Sequence, residues 1–83
     1  SGMPLELKDD SGFTALHHAA LRNNLEGIRR LLSAGANIET KDHKNRTPLH
    51  HACIMNHHQI ARLLIQKGAN TEAKDDAQAT PLH

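Results

Sequence analysis

The sequence contains no tryptophan, no tyrosine and a single phenylalanine, Phe13. A stacking platform for unpaired bases needs several rings, so that route to nucleic acid is closed. There is one cysteine, Cys53, and a lone cysteine forms no internal disulfide; an intracellular, reducing compartment is the expectation. No apolar run approaches the roughly 18 residues of a membrane span. No basic-then-apolar leader opens the chain. Neither charge sign is in excess: ten Lys and Arg stand against nine Asp and Glu, for a net charge of +1 over 83 residues. A dedicated binder of nucleic acid or anionic membrane needs a basic excess, so neither is expected as a partner. No glycine-rich phosphate motif and no convergent acid, base and nucleophile can be traced. The chain is expected not to be an enzyme and to need no cofactor and no metal.

What the sequence has instead is itself, twice. Residues 9–41 laid on 42–74 agree at Asp9/Asp42, Thr14/Thr47, Leu16/Leu49, His17/His50, His18/His51, Ala19/Ala52, Asn23/Asn56, Arg29/Arg62, Leu31/Leu64, Gly35/Gly68, Ala36/Ala69, Asn37/Asn70, Glu39/Glu72 and Lys41/Lys74. Chance would give about two such matches, so a 33-residue period is present. Thr80-Pro81-Leu82-His83 repeats Thr47-Pro48-Leu49-His50, and Glu6, Lys8 and Asp9 anticipate Glu39, Lys41 and Asp42. The expected organisation is a leading segment 1–3, with Ser1-Gly2 reading as the remnant of a protease cleavage. The tail of one unit follows at 4–8, then whole units at 9–41 and 42–74, and the opening of another at 75–83.

Each unit reads as two helices. Thr14 and Thr47 are suited to the N-cap, and Pro48 to the first helical position, where its missing donor costs nothing. Short helices are expected over Ala15–Arg22 and Pro48–Met55. Asn23 and Asn56 tolerate the left-handed conformation that ends them. Second helices are expected over Leu25–Ala34 and His58–Lys67, from the spacing of Leu25, Ile28, Leu31 and Leu32 and of Ile60, Leu63 and Leu64. Gly35 and Gly68 follow as C-terminal caps. The polar stretches 36–46 and 69–79 read as extended, hairpin-like connectors. Neither pair buries its apolar face alone; neighbours in such arrays stabilise one another.

A 33-residue unit carrying Thr47-Pro48-Leu49-His50 and closing on Leu63-Leu64 with Gly68-Ala69-Asn70 resembles the ankyrin repeat. The first unit gives Thr14-Ala15-Leu16-His17 and Leu31-Leu32 with Gly35-Ala36-Asn37. The resemblance runs from Leu5 to His83. It implies an all-α repeat solenoid, with stacked helix-turn-helix units and β-hairpin-like finger loops. It also implies a non-catalytic scaffold that binds a partner protein or peptide through the finger loops and the concave face of the inner helices. The alternative is a structural spacer within a longer array. Matched by motif, the partner-binding positions are Asp10, Ser11, Phe13, Leu21 and Arg22 in the first unit. They are His43, Lys44, Arg46, Ile54 and Met55 in the second, and Asp76, Ala77 and Ala79 in the third. The copies differ at nearly all of these positions and agree at scaffold positions. Phe13, Leu21, Ile54 and Met55 form an expected exposed apolar strip, the usual mark of a partner; the alternative is that Leu21 and Ile54 are half-buried against neighbouring helices. Some positions depart from the family pattern. Asn45 and Gln78 stand where Gly12 keeps the hairpin glycine, Gly27 and His58 replace apolar residues, and Glu39 and Glu72 replace an asparagine that can be hydroxylated.

Eight histidines invite a metal, but adjacent helical residues point about 100° apart, so the doublets His17-His18, His50-His51 and His57-His58 do not converge. His17 and His50 are expected to be buried and hydrogen-bonded between units. Cys53 is expected to be a small core residue. Lys8, Lys41 and Lys74 are expected to lie beside, and be neutralised by, Glu6, Glu39 and Glu72. The incomplete outer units lead to an expectation of end-to-end self-association, with Thr80–His83 packing beside a neighbouring chain.

Overall fold

The computed structural model describes residues 5–81. Four helices follow in order: α1 (Ala15–Leu21), α2 (Leu25–Ser33), α3 (Pro48–Ile54) and α4 (His58–Gln66). All four begin where the sequence predicts. Each ends one residue sooner, because Arg22, Ala34, Met55 and Lys67 are C-caps, half in and half out of the helix. Asn23 and Asn56 take φ of 57° and 63° and turn the chain into the second helix of each pair. Gly35 and Gly68, at φ 98° and 97°, turn it out again. The α2 cap is Asn24, whose side chain accepts the Gly27 N–H at 2.9 Å. A Cβ on Gly27 would come within 2.6 Å of that side chain, so the glycine makes room for the cap.

Helix α1 packs on both α2 and α3, and α3 on α4. The seam is one cluster: Leu16, Ala19, Ala20 and Ile28 from the first pair meet Leu49, Ala52, Ile60, Leu63 and Leu64 from the second. The alanines of α1 and α3 let the backbones approach, and the larger side chains fill the layer beside them. Leu16, Ile28, Leu49, Ile60 and Leu64 are at most 1% exposed, and each contributes about 1.5–3 kcal/mol on burial. The described residues thus form stacked helix-turn-helix units of an all-α chain.

The connectors differ from the expected extended hairpins. They are turns, and no strand occurs among the described residues. An aspartate closes each tip. The Asp42 Oδ1 accepts the backbone N–H groups of Lys44 and Arg46, both at 2.9 Å. Asp9 does the same for Ser11 and Phe13, and Asp75 for Ala77 and Ala79. A side chain that satisfies two backbone donors makes a tight turn without a ladder. Gly12, Asn45 and Gln78 occupy the left-handed position of the three turns, at φ 81°, 60° and 64°. Neighbouring tips are joined by single bonds, from His43 N–H to the Ser11 carbonyl and from Asp76 N–H to the Lys44 carbonyl.

The acidic column also acts differently from the expectation. Among the described residues Glu6, Glu39 and Glu72 form no ion pair with a lysine; the Glu6 carboxylate accepts the Asn37 N–H at 2.8 Å, and Glu39 accepts the Asn70 N–H at 2.6 Å. Lys8 donates to the Lys41 carbonyl at 2.7 Å. Unpaired backbone groups of the next unit are the stronger claim on these side chains, since an exposed ion pair gains little. Leu82 and His83, which complete the expected Thr80–His83 segment, lie outside the described residues, as does the leading segment 1–3.

Candidate functional site

The two Thr-x-Leu-His motifs set the geometry around the loops. In each, the imidazole Nδ1 accepts the threonine backbone N–H: Thr14 to His17 and Thr47 to His50, both at 3.1 Å. An Nδ1 that accepts leaves the proton on Nε2. That proton is donated across the seam, from His17 to the Arg46 carbonyl at 2.8 Å and from His50 to the Ala79 carbonyl at 2.9 Å. Both rings are buried, at 0% and 2% exposure, as expected for links between units. Burial pushes the His17 pKa below its usual 6.5, against the raising effect of the Arg46 carbonyl.

The second histidine of each doublet takes the free oxygen of the loop aspartate. His51 Nε2 lies 2.7 Å from Asp42 Oδ2, and His18 Nε2 lies 2.8 Å from Asp9 Oδ2. Burial also holds His51 below 6.5, outweighing the Asp42 carboxylate beside it. For Asp42 burial acts upward, but the Arg46 N–H, His51 and the Lys44 N–H together keep its pKa below 3.8. Phe13 sits among the rings of His17, His18 and His51, with centroids 5.6, 5.4 and 5.3 Å away.

Asp10, Ser11, His43, Lys44, Asp76 and Ala77 are exposed on the loop tips. Phe13, Arg46 and Ala79 are half-buried at the loop ends, and Arg46 Nε reaches Asp75 at 3.3 Å. A cavity of about 400 Å³ between the first two loops brings together Asp10, Ser11, Phe13, His43, Lys44 and Arg46. Asp42 and His51 line its inner wall. A second cavity, of about 490 Å³, takes in Arg46, Ile54, Ala77 and Ala79. Ile54 and Met55 are 57% and 47% exposed at the end of α3, whereas Leu21 is half-buried. Arg22 is exposed and faces a separate cleft beside Asn24 and Gly27. The expected exposed strip is not continuous: Phe13 and Leu21 are half-buried and only Ile54 and Met55 are exposed, with Phe13 lining one cavity and Ile54 the other.

Three potential metal ligands do converge, from non-equivalent positions: atoms of His17, Asp42 and His51 all lie within 4.8 Å of one another. The donor set does not suit an ion. His17 uses one ring nitrogen for the Thr14 N–H and the other for the Arg46 carbonyl, and His51 is committed to Asp42. Among the described residues no buried side-chain nitrogen or oxygen lacks a partner. An ion would have to displace a satisfied network, which carries a cost for each bond broken. Cys53 is half-buried and burial pushes its thiol up, so the thiolate needed for nucleophilic chemistry is disfavoured.

Two features escaped the sequence. The aspartate at 9, 42 and 75 is visible as a repeat match, and its place five residues before Thr14, Thr47 and Thr80 was the available signal. The sequence presents His57 as half of a doublet. It stands at the N-cap position of α4 without a side-chain capping bond, and its Nδ1 donates instead to the Ala20 carbonyl at 2.9 Å, a further link across the seam.

No helix of the described residues is long and apolar enough to cross a membrane. No curated protein matches the chain. A family model for ankyrin repeats in multiple copies does match it, over residues 16–65 and again over 49–83. These spans cover both helix pairs and the histidine links between them, so the chain belongs to the ankyrin-repeat family.

Proposed function

We propose that the chain is a non-catalytic scaffold that binds a protein or peptide along its loop tips and the inner helices α1 and α3. Ankyrin repeats are in general protein-interaction modules and typically non-catalytic; the use of this face is the specific reading. The observation that carries it is the 400 Å³ cavity, in which seven residues from two loops border a common space. The half-buried Phe13 ring supplies an apolar floor, and Asp10 and Lys44 supply opposite charges at its rim. The exposed Ile54 and Met55 add a separate apolar surface at the end of α3, Ile54 lining the neighbouring cavity. A few convergent polar groups around an apolar floor suit recognition of a segment of chain. The lone cysteine favours an intracellular setting.

The test compares the native chain with a Lys44→Glu, Met55→Asp variant as bait in affinity capture, with thermal melts to show that both are folded. Both substituted side chains are exposed, so the fold should be kept. Partners captured by the native chain should be lost from the variant. Retention of every partner by a folded variant would remove the loop and inner-helix face as the binding surface.

A further inference from the structure

The opposite side of the helix pairs carries a differently built surface. Between α2 and α4 run two adjoining hollows, of about 440 and 220 Å³, that share Arg29, Leu63 and Gln66. Leu25, Leu32 and Leu63 line them; Leu63 is buried and the other two are half-buried. Arg29, Arg62 and Lys67 stand exposed at the edges. Among the described residues no carboxylate lies within salt-bridge distance of these three cations. The other polar groups, Gln59, Gln66 and Ser33, are neutral. Glu26, the acid of α2, is taken by Arg30 at 3.2 Å, and α4 has no acid.

Charge is therefore segregated in a chain whose net charge is only +1. The loop-side cavity mixes Asp10 with Lys44 and Arg46, whereas the α2–α4 groove holds cations alone. We propose that this groove is a second docking site, for an acidic, leucine-bearing helical segment of a partner protein. The part-exposed faces of Leu25 and Leu32 offer burial to alkyl side chains within a mainly polar rim, and the guanidinium groups match carboxylates in a two-pronged geometry. Arg29 and Arg62 occupy the same repeat position on α2 and α4, whose axes packing sets about 10 Å apart, so a helix laid across the two would span both. Two turns of helix rise about 10.8 Å. A helix with glutamates two turns apart and leucines between them presents its carboxylates to both arginines and its leucines to the floor. Nucleic acid fits less well, because the groove has no ring for a base to stack on.

The test uses the isotope-labelled full chain and a synthetic helical peptide with two glutamates two turns apart flanking a leucine pair. Titration followed by amide chemical shifts should move resonances of α2 and α4. An Arg29→Glu, Arg62→Glu variant should weaken binding by about tenfold or more. Should that variant not fold, Arg29→Gln, Arg62→Gln serves, with a smaller loss. The same peptide with lysines in place of glutamates should not bind. The Lys44→Glu, Met55→Asp variant should bind the acidic peptide as the native chain does, which separates this surface from the loop-side one. Shifts confined to the loops, equal affinity for the arginine variants, or stronger α2–α4 shifts with a single-stranded oligonucleotide would each overturn the proposal.

Discussion

Two His–Asp pairs of identical chemistry sit in the two units, nine residues apart in sequence in each case. His18 and Asp9 are separated by 2.8 Å with side chains 39% and 44% exposed. His51 and Asp42 are separated by 2.7 Å with side chains 7% and 3% exposed. Local sequence does not make this difference, since both aspartates close the same turn. Position does. The second pair lies under Phe13 and against His17, side chains of the preceding unit. In a stacked repeat, a motif's energetic weight comes from what its neighbour places over it. The exposed pair exchanges its bonds with water at little net gain, whereas the buried pair has only its protein partners.

The comparison yields a sharp test. Asp42→Ala removes the acceptor for two backbone N–H groups and for His51 at a buried site, and should cost about 3 kcal/mol or more. Asp9→Ala removes the matching bonds at an exposed site and should cost clearly less. Urea denaturation of both variants measures the difference; equal losses would mean that burial is not what separates the pairs.

The next effect in size is that of pH. The folded pKa values of His17 and His51 lie below 6.5, so the unfolded chain takes up their protons first. Their contribution is complete above about pH 6.5 and is lost as pH falls through the lowered folded values. Asp42, held below 3.8, adds stability above that value that is lost as pH falls further. His51→Gln keeps a donor for Asp42 but cannot titrate, so its stability should fall less than the native chain's as pH drops below 6.5. Denaturation midpoints at a series of pH values decide the matter, and an unchanged slope would assign the dependence elsewhere.

Much of this architecture is legible in the sequence, and the part that is not has one cause. Helix starts, caps and core follow from spacing and propensity, because they are local: Thr14 and Thr47, Asn23 and Asn56, and the apolar faces of α2 and α4. Superposing the sequence on itself pairs equivalent residues. The links between units join non-equivalent ones: His17 with Arg46, Glu6 with Asn37, His57 with Ala20. The same blindness hid the convergence of His17, Asp42 and His51, and it made the glutamates look like partners for lysines in their own unit.

Two smaller effects probe the copies further. Glu39→Gln weakens the acceptor held by the Asn70 N–H and should cost about 1 kcal/mol, measured by the shift in melting temperature. A neutral result would mean that water serves Asn70 equally well. Gln78→Gly restores at the third turn the residue type that Gly12 supplies at the first. Relief of the left-handed strain, offset by the entropy of the unfolded glycine, should leave a gain of about 0.5 kcal/mol. Destabilisation would show that the Gln78 side chain does more than tolerate its φ of 64°.

The bonds that cross the seam join residues 29 to 37 apart. This has a consequence for assembly from the unfolded chain. Closing a loop costs entropy that grows with its length, by about 0.6 kcal/mol for each doubling. Here each unit is fastened to the next through loops of about the same length. A longer array of such units would repeat these closures without lengthening them, and its mean contact separation relative to chain length would fall as units were added. Folding could then begin at whichever neighbouring pair is locally most stable and spread one unit at a time in either direction.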